Sequence, residues 1–434
     1  MSPMSLLRSI AVFGLIAAAG AVHVAAQTGP PYPTKFSVAL ADRPDVKQAL
    51  SFVDERFDRQ VTEWIAVTEI PAPSTKEEKR AAYIKTELEK LGFTVTIDGI
   101  GNVMARRAGT GGGPTVVFAA HMDTVHPMET NLKVARKPDD TLHAPGVFDN
   151  SASIVNLLQA ARALDAAKVR TRGDVILLFT AQEELGLKGM YYWLDQNPKT
   201  ADMLIALDGG LGPVNYGALG IYWSKMKFTA EGSHTNTSRD KPSPVRAAAK
   251  CITDIYTIPL PPPDAPVGAI YNVGGMMTAG NVVNAIPQEV TFTVDLRTVD
   301  PGLLESLDGQ IVARCKAAGA AHKVRFEREF IQRSEAGGRP EQLASRRAHP
   351  VVQTAIDVLR HLGTNLPAGR DAAPTGSTDA NAGVVRGIPS ISVGRSRGGD
   401  QHTLQEWSDV QSARIGTKQI ILLAVALAEF GETK

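Results

Sequence analysis

At 434 residues, 43% of them hydrophobic and 21% charged, the chain is long enough for two or three domains and more than one buried core. Its 46 basic and 45 acidic residues nearly cancel. This speaks against nucleic acid or an anionic membrane surface as a partner, and no aromatic-and-basic patch suggests otherwise.

In chain order, residues 1–26 read as a secretory signal. Arg8 precedes an apolar run from Ile10 to about Val22, and Val24 and Ala26 stand at the −3 and −1 positions of a cleavage site. The run falls short of the roughly 20 residues that a spanning helix needs, so the expected product is secreted or periplasmic, with no membrane association after cleavage. Residues 27–42 read as a Pro-rich extended leader. Helical spacing runs over 45–67 and again over 75–92, the second stretch opened by Ser74 with Glu77 as a capping box.

Helices then alternate with strands as far as Asp208, and the apolar runs TVVFAAHMDTV, VILLFTAQEE and MLIALDGG have the texture of buried parallel strands. From Tyr216 the pattern changes to long alternating strands, IYWSKMKFTAEG and EVTFTVDLRTV, with helices near 245–256 and 302–318. The expected layout is therefore a first catalytic segment at 43–215, an α+β insert at 216–335, and a second catalytic segment at 336–434. That last segment carries a helix at 349–362, the strand IPSISV and a long helix after Ser408. Cys251 and Cys315, both in helices of the insert, are expected to be buried free thiols.

Acidic residues and histidines recur where the apolar runs end. They are His121 and Asp123 in AAHMDTV, Asp149 in GVFDNSAS, Glu183 and Glu184 in FTAQEELG, Asp208 in IALDGG, and His402 in DQHTLQEW. Singly, each reads as a solvated loop residue or a cap, Asp149 for instance before SASIVNLLQAARAL. Together they would gather where the strands of one open sheet end, which is where α/β sheets place their sites. Carboxylates and imidazoles without thiolates describe a metal site for zinc, with manganese or cobalt as alternatives.

This ordered set resembles the M20 family of metallopeptidases in its HxDT, GxxD, EE and C-terminal His elements, over residues 45–430. The resemblance implies a mixed, mostly parallel α/β catalytic domain of zinc-exopeptidase type with an inserted α+β lid and dimerisation domain. It assigns His121 and Asp208 to one divalent ion, Glu184 and His402 to a second, and Asp149 to both. Glu183 becomes the general base, and Asp123 the residue that hydrogen-bonds His121. Such a pair of ions, roughly 3.5–4 Å apart, acidifies water and polarises a scissile carbonyl. Adjacent Glu183 and Glu184 point different ways, so one ligates while its neighbour faces the attacking water.

Within the insert, His234 in EGSHTNTS matches a lid histidine that reaches the partner subunit's site in a homodimer, although Thr235 and Asn236 replace the Ala or Pro common there. Asn284 in NAIPQE matches a substrate-binding position. GSTDANAG at 376–383 resembles a loop lining the substrate groove, and Arg297, Arg333 and Arg339 are candidates to grip a substrate carboxylate. Asp at 208 resembles the peptidase branches and implies short peptides as substrates. Carboxypeptidase and N-acyl amino acid amidohydrolase activities are the alternatives within the family, and a catalytically dead binding module is the alternative outside it.

Overall fold

The computed structural model describes residues 32–431, so the expected signal sequence lies outside it. Within the expected extended leader, Val38–Ala41 forms a helical turn capped by Ser37, and Ala41 is buried.

An eight-stranded sheet forms the larger core. Its strands run in the order Val95–Ile97, Val103–Arg107, Val175–Thr180, Val116–His121, Met203–Leu207, Ser390–Val393, Val214–Asn215 and Ala372–Ala373. The third to sixth strands are mutually parallel. In the central strand Val116, Phe118 and Ala120 face one apolar cluster while Val117 and Ala119 face another. Both faces are therefore covered, which explains an apolar run without polar alternation. The helices Ala152–Ala166, Pro350–His361 and Ala413–Leu427 contribute to the first cluster.

Local structure departs from the sequence reading at two places. The stretch expected as one helix over 45–67 breaks at Arg56 (φ −105°, ψ 10°) into Pro44–Glu55 and Phe57–Thr68. The break lets each half bury its own apolar side, and Trp64 Nε1 reaches the Val147 carbonyl at 2.6 Å. The Ser74–Glu77 capping box does not form. Ser74 Oγ donates to Asp123 Oδ2 at 2.6 Å, and Glu77 Oε1 accepts from the N–H groups of Thr75 and Gln182 at 3.0 Å each. These tertiary bonds hold the loops around Asp123 and Glu183, and they outcompete the local cap.

The insert forms a second sheet, antiparallel, in the order Ala269–Thr278, Glu289–Thr298, Gly220–Thr229, Arg325–Ser334. Its core packs Met226, Phe228, Phe292 and Val294 against the helices Pro244–Ile255 and Pro301–Ala321. Cys251 and Cys315 are joined in a disulfide, contrary to the expectation of free thiols. The two helices lie side by side and bring the two Cα atoms to 4.7 Å, inside bridging range. Among the described residues no helix is long and apolar enough to cross a membrane.

Candidate metal centre

Register explains why residues so distant in sequence meet. His121 closes one central strand directly opposite Thr180, the last residue of its parallel neighbour, so Glu183 and Glu184 emerge from the same edge. Asp208 follows Leu207 in the next strand, and Arg395 follows Val393 in the one after it. A helix begins at Ala152, just past Asp149, but Asp149 does not cap it. The backbone at Asp149 is extended (φ −106°, ψ 96°), so its carboxylate projects into the site. His402 is held at φ +65° in a turn, a conformation that costs about 1–3 kcal/mol in a non-glycine residue and recurs at functional sites.

Six of the seven candidate residues, His121, Asp149, Glu183, Glu184, Asp208 and His402, line one cavity of about 380 Å³, although Asp149 lies in the segment Val147–Ser151 before a helix rather than at a strand end. Their donor atoms form three groups, His121/Glu183/Glu184, His121/Asp149/Asp208 and Asp149/Glu184/His402, each with all atoms within 4.8 Å of one another. Asp149 belongs to two of them: its Oδ1 is 3.1 Å from His121 Nε2 and its Oδ2 is 3.4 Å from His402 Nε2. Glu184 Oε1 lies 3.1 Å from His402 Nε2 but has no aligned donor. A buried acceptor without a donor, in an oxygen and imidazole donor set, suits a divalent cation.

The seventh residue, Asp123, lies beneath the cavity, fully buried. Its carboxylate accepts from Glu183 N–H at 3.0 Å, from Glu184 N–H at 3.1 Å and from Ser74, so it fixes the turn that presents both glutamates. His121 Nδ1 is 3.1 Å from the Asp123 backbone carbonyl and 3.4 Å from its carboxylate. Both acceptors orient the imidazole so that Nε2 faces the cavity.

The electrostatics are those of a crowded acidic cage. Burial, with Asp208 and Glu184 adding to it, pushes the Glu183 carboxyl well above the ordinary glutamate range. His121 is buried, which disfavours its charge, yet Glu183, Asp123 and Asp149 hold it well above the usual histidine value. The neighbouring carboxylates of Asp149 and Glu184 push His402 up to about 10. Both shifts favour the protonated imidazole, so ion binding competes with protons at these ligands.

Several residues that shape the centre were not singled out by the sequence reading. Glu406 is buried and accepts from Gly146, Phe148 and Asp149 N–H at 2.9, 2.8 and 2.6 Å, which holds the Asp149 loop. Arg395 is buried beside Asp149 and Asp208. Burial disfavours its charge, and the two carboxylates more than offset this. Asp379 lies buried below the site and is pushed up to about 7, chiefly by burial, with Thr180 donating to it.

His234 and Asn284 are absent from the cavity lining. They sit together on the exposed surface of the insert, Asn284 Nδ2 3.2 Å from His234 Nε2, with His234 on a short strand paired to Ala285 and Asn284 in the turn just before it. Of the three candidate arginines, Arg297 lines the cavity along with Trp223, Gln332 and Ser334. Arg333 instead pairs with Glu305, and Arg339 precedes the helix Pro340–Arg347. Ser377 and Thr378 of the GSTDANAG loop also line the cavity.

The pattern of peptidase family M20/M25/M40 matches residues 117–425. The chain belongs to that family. It is accordingly a hydrolase of the peptidase and amidohydrolase kind, as the resemblance implied. Carboxypeptidase G2 of Pseudomonas sp. (strain RS-16) is 24% identical over 318 residues, 71% of this chain and 74% of that protein. Among solved structures, the aminopeptidase PepT of Bacillus cereus superposes with a TM-score of 0.69 at 20% identity, covering 86% of this chain and 99% of that one. A dinuclear metal-binding M20 peptidase of Bacillus subtilis gives 0.64 at 17% identity, covering 87% and 99%. At these identities the structural matches speak for the fold.

Proposed function

We propose that this M20 family member is a two-zinc exopeptidase acting on short peptides. The observation that carries the reading is the convergence of His121, Asp149, Glu184, Asp208 and His402 on one cavity, with Asp149 shared by two ligand groups and Glu183 beside them. Two bound divalent ions would polarise the scissile carbonyl and acidify the attacking water. Glu183 accepts the proton of that water and passes it to the departing amide nitrogen. Its raised pKa is what such a base needs before the bound cations draw it down. Asp123 keeps Glu183 aimed through the N–H bond described above. Relatives named as peptidases, and the dinuclear peptidase of similar fold, support this reading.

Arg297 favours a second reading of specificity. It faces the cavity from the insert, bonded to Asp295 of its own strand at 2.9 Å. A guanidinium at that end suits a substrate carboxylate, as in a carboxypeptidase or an N-acyl amino acid amidohydrolase. The zinc-loaded protein should be assayed against matched di- and tripeptides, N-acetylated and C-amidated versions, and N-acyl amino acids. Loss on acetylation alone supports an aminopeptidase. Loss on amidation alone supports the carboxylate reading, and no cleavage of any member contradicts both.

The protein further acts as a homodimer through its insert, in the exported, oxidising compartment that its N-terminal sequence implies. The Cys251–Cys315 disulfide supports the compartment. The dimer is supported by Ile270, Met276, Met277, Val282 and Val283, which are exposed along the edge of the insert sheet and the turn leading to Asn284. A second copy covering that edge would also cover His234 and Asn284, which lie beside it.

A further inference from the structure

The carboxylate cage already contains a cation of its own. Arg395 has a side chain 1% exposed, with its guanidinium 4.1 Å from the centroid of the Phe148 ring. Its backbone is fixed on several sides. The N–H donates to Gly209 O at 3.1 Å, the carbonyl accepts from Asn156 Nδ2 at 2.8 Å, and a methyl group on Gly416 would come within 1.9 Å of that carbonyl. The last helix therefore presses directly on the root of this side chain. From there Nη1 donates to Asp208 Oδ1 at 2.5 Å and to Asn150 Oδ1 at 3.1 Å, while Nη2 stands 3.1 Å from Asp149 Oδ1.

These contacts are one-sided. Asp149 Oδ1, which faces Arg395, is also the oxygen that faces His121, whereas Oδ2 faces His402. Among the described residues no arginine or lysine pairs with Glu184. The guanidinium thus borders the His121/Asp149/Asp208 group at two carboxylates and touches the Asp149/Glu184/His402 group only through the Asp149 that both share. Arginine stays protonated at any accessible pH, so this charge cannot be titrated away. It also has a use when ions are absent, because it neutralises two buried carboxylates that would otherwise repel each other.

We propose that Arg395 makes the two metal positions unequal: it weakens the His121/Asp149/Asp208 position, so the Asp149/Glu184/His402 position fills first and holds its ion more tightly. This rests on the two-ion reading above. A unit charge about 5 Å from a divalent cation, at an effective dielectric of about 20, would by itself weaken binding by nearly five orders of magnitude, and at about 9 Å, the distance of the second position, by between two and three. Part of that is returned by the ordering Arg395 gives the empty cage, so the expected gap between the sites is about tenfold or more.

The test is calorimetric titration of metal-free protein with zinc, repeated with manganese and read by electron paramagnetic resonance. Wild type should show a tight and a weak class. Glu184→Gln should remove the tight class and Asp208→Asn the weak one. Arg395→Met should strengthen both classes, the weak one by roughly tenfold or more beyond the tight one, and Arg395→Lys, which keeps the charge, should stay near wild type. If Arg395→Met does not fold, Arg395→Gln takes its place, and the two ligand variants still report the filling order in an otherwise native chain. Equal classes, the reverse order, or a weak class that is unchanged or lost without the arginine would overturn the role of Arg395 alone. Absence of binding at both positions would overturn the two-ion reading and this proposal with it.

Discussion

Removing the Glu406 carboxylate should destabilise the protein severely and spoil the Asp149 ligand position together. The carboxylate is almost wholly buried and is the acceptor for three N–H groups in the loop that ends at Asp149. Each buried donor stripped of its partner costs about 1–3 kcal/mol, more where the acceptor is charged. Three such losses make Glu406→Ala worth about 3–6 kcal/mol after some relaxation or water entry, a large share of the roughly 5–15 kcal/mol that holds a typical domain. Glu406→Gln keeps a carbonyl oxygen for Phe148 and Asp149 and turns an amide N–H toward Gly146, so one bond is lost and the cost falls to about 1–3 kcal/mol. Urea unfolding of metal-free protein, followed by fluorescence, measures both, and zinc titration of the folded fraction reports the Asp149 position. A Glu406→Ala variant within about 0.5 kcal/mol of wild type would refute the reasoning, since that is the scatter of surface substitutions.

The Cys251–Cys315 bond closes a loop of sequence separation 64, so its reduction should lower stability by about 4 kcal/mol in the loop-entropy picture, read as a drop in urea midpoint with dithiothreitol. Two thiols titratable in denatured protein that has never met reductant would contradict the bridge. Asp379 sets a pH dependence. Its folded pKa of about 7 lies above the ordinary aspartate value of 3.8, so between these values the folded state keeps a proton that the unfolded state has released. Stability is then greatest below the lower value and falls as pH rises toward 7, by up to about 1.4 kcal/mol per pH unit. Asp379→Asn cannot lose that proton, so its advantage over metal-free wild type should grow from about pH 4.5 to about pH 7, and a difference independent of pH would exclude the shift.

The sequence was most readable where one physical signal dominated. Unbroken apolar runs at 116–121, 175–180 and 203–207 require burial on both faces of a sheet, which places the charged residues that follow them on a common edge. His121, Glu183, Glu184 and Asp208 were legible for that reason. Glu406 and Arg395 were not, because a lone charge in a loop resembles a solvated one until the chain folds around it. Their position was the available signal, Arg395 two residues past a strand end and Glu406 four residues after His402. Ser74 shows the converse: a sound local capping pattern lost to a tertiary bond with Asp123. The cysteines failed for a similar reason, since pairing depends on how two helices lie side by side and spacing does not encode that. His234 and Asn284 were legible only through resemblance, and a single chain leaves them on its surface.

The central claim is that coordination and proton transfer are divided between adjacent glutamates, and Glu183→Gln tests it most directly. Elemental analysis after zinc loading and gel filtration should find two ions per chain in the variant, as in wild type. Peptide turnover should fall by about 10²–10⁴-fold, the usual worth of a general base. Glu184→Gln, treated identically, should lose an ion. Loss of metal from Glu183→Gln, or turnover close to wild type with both ions in place, would contradict the assignment.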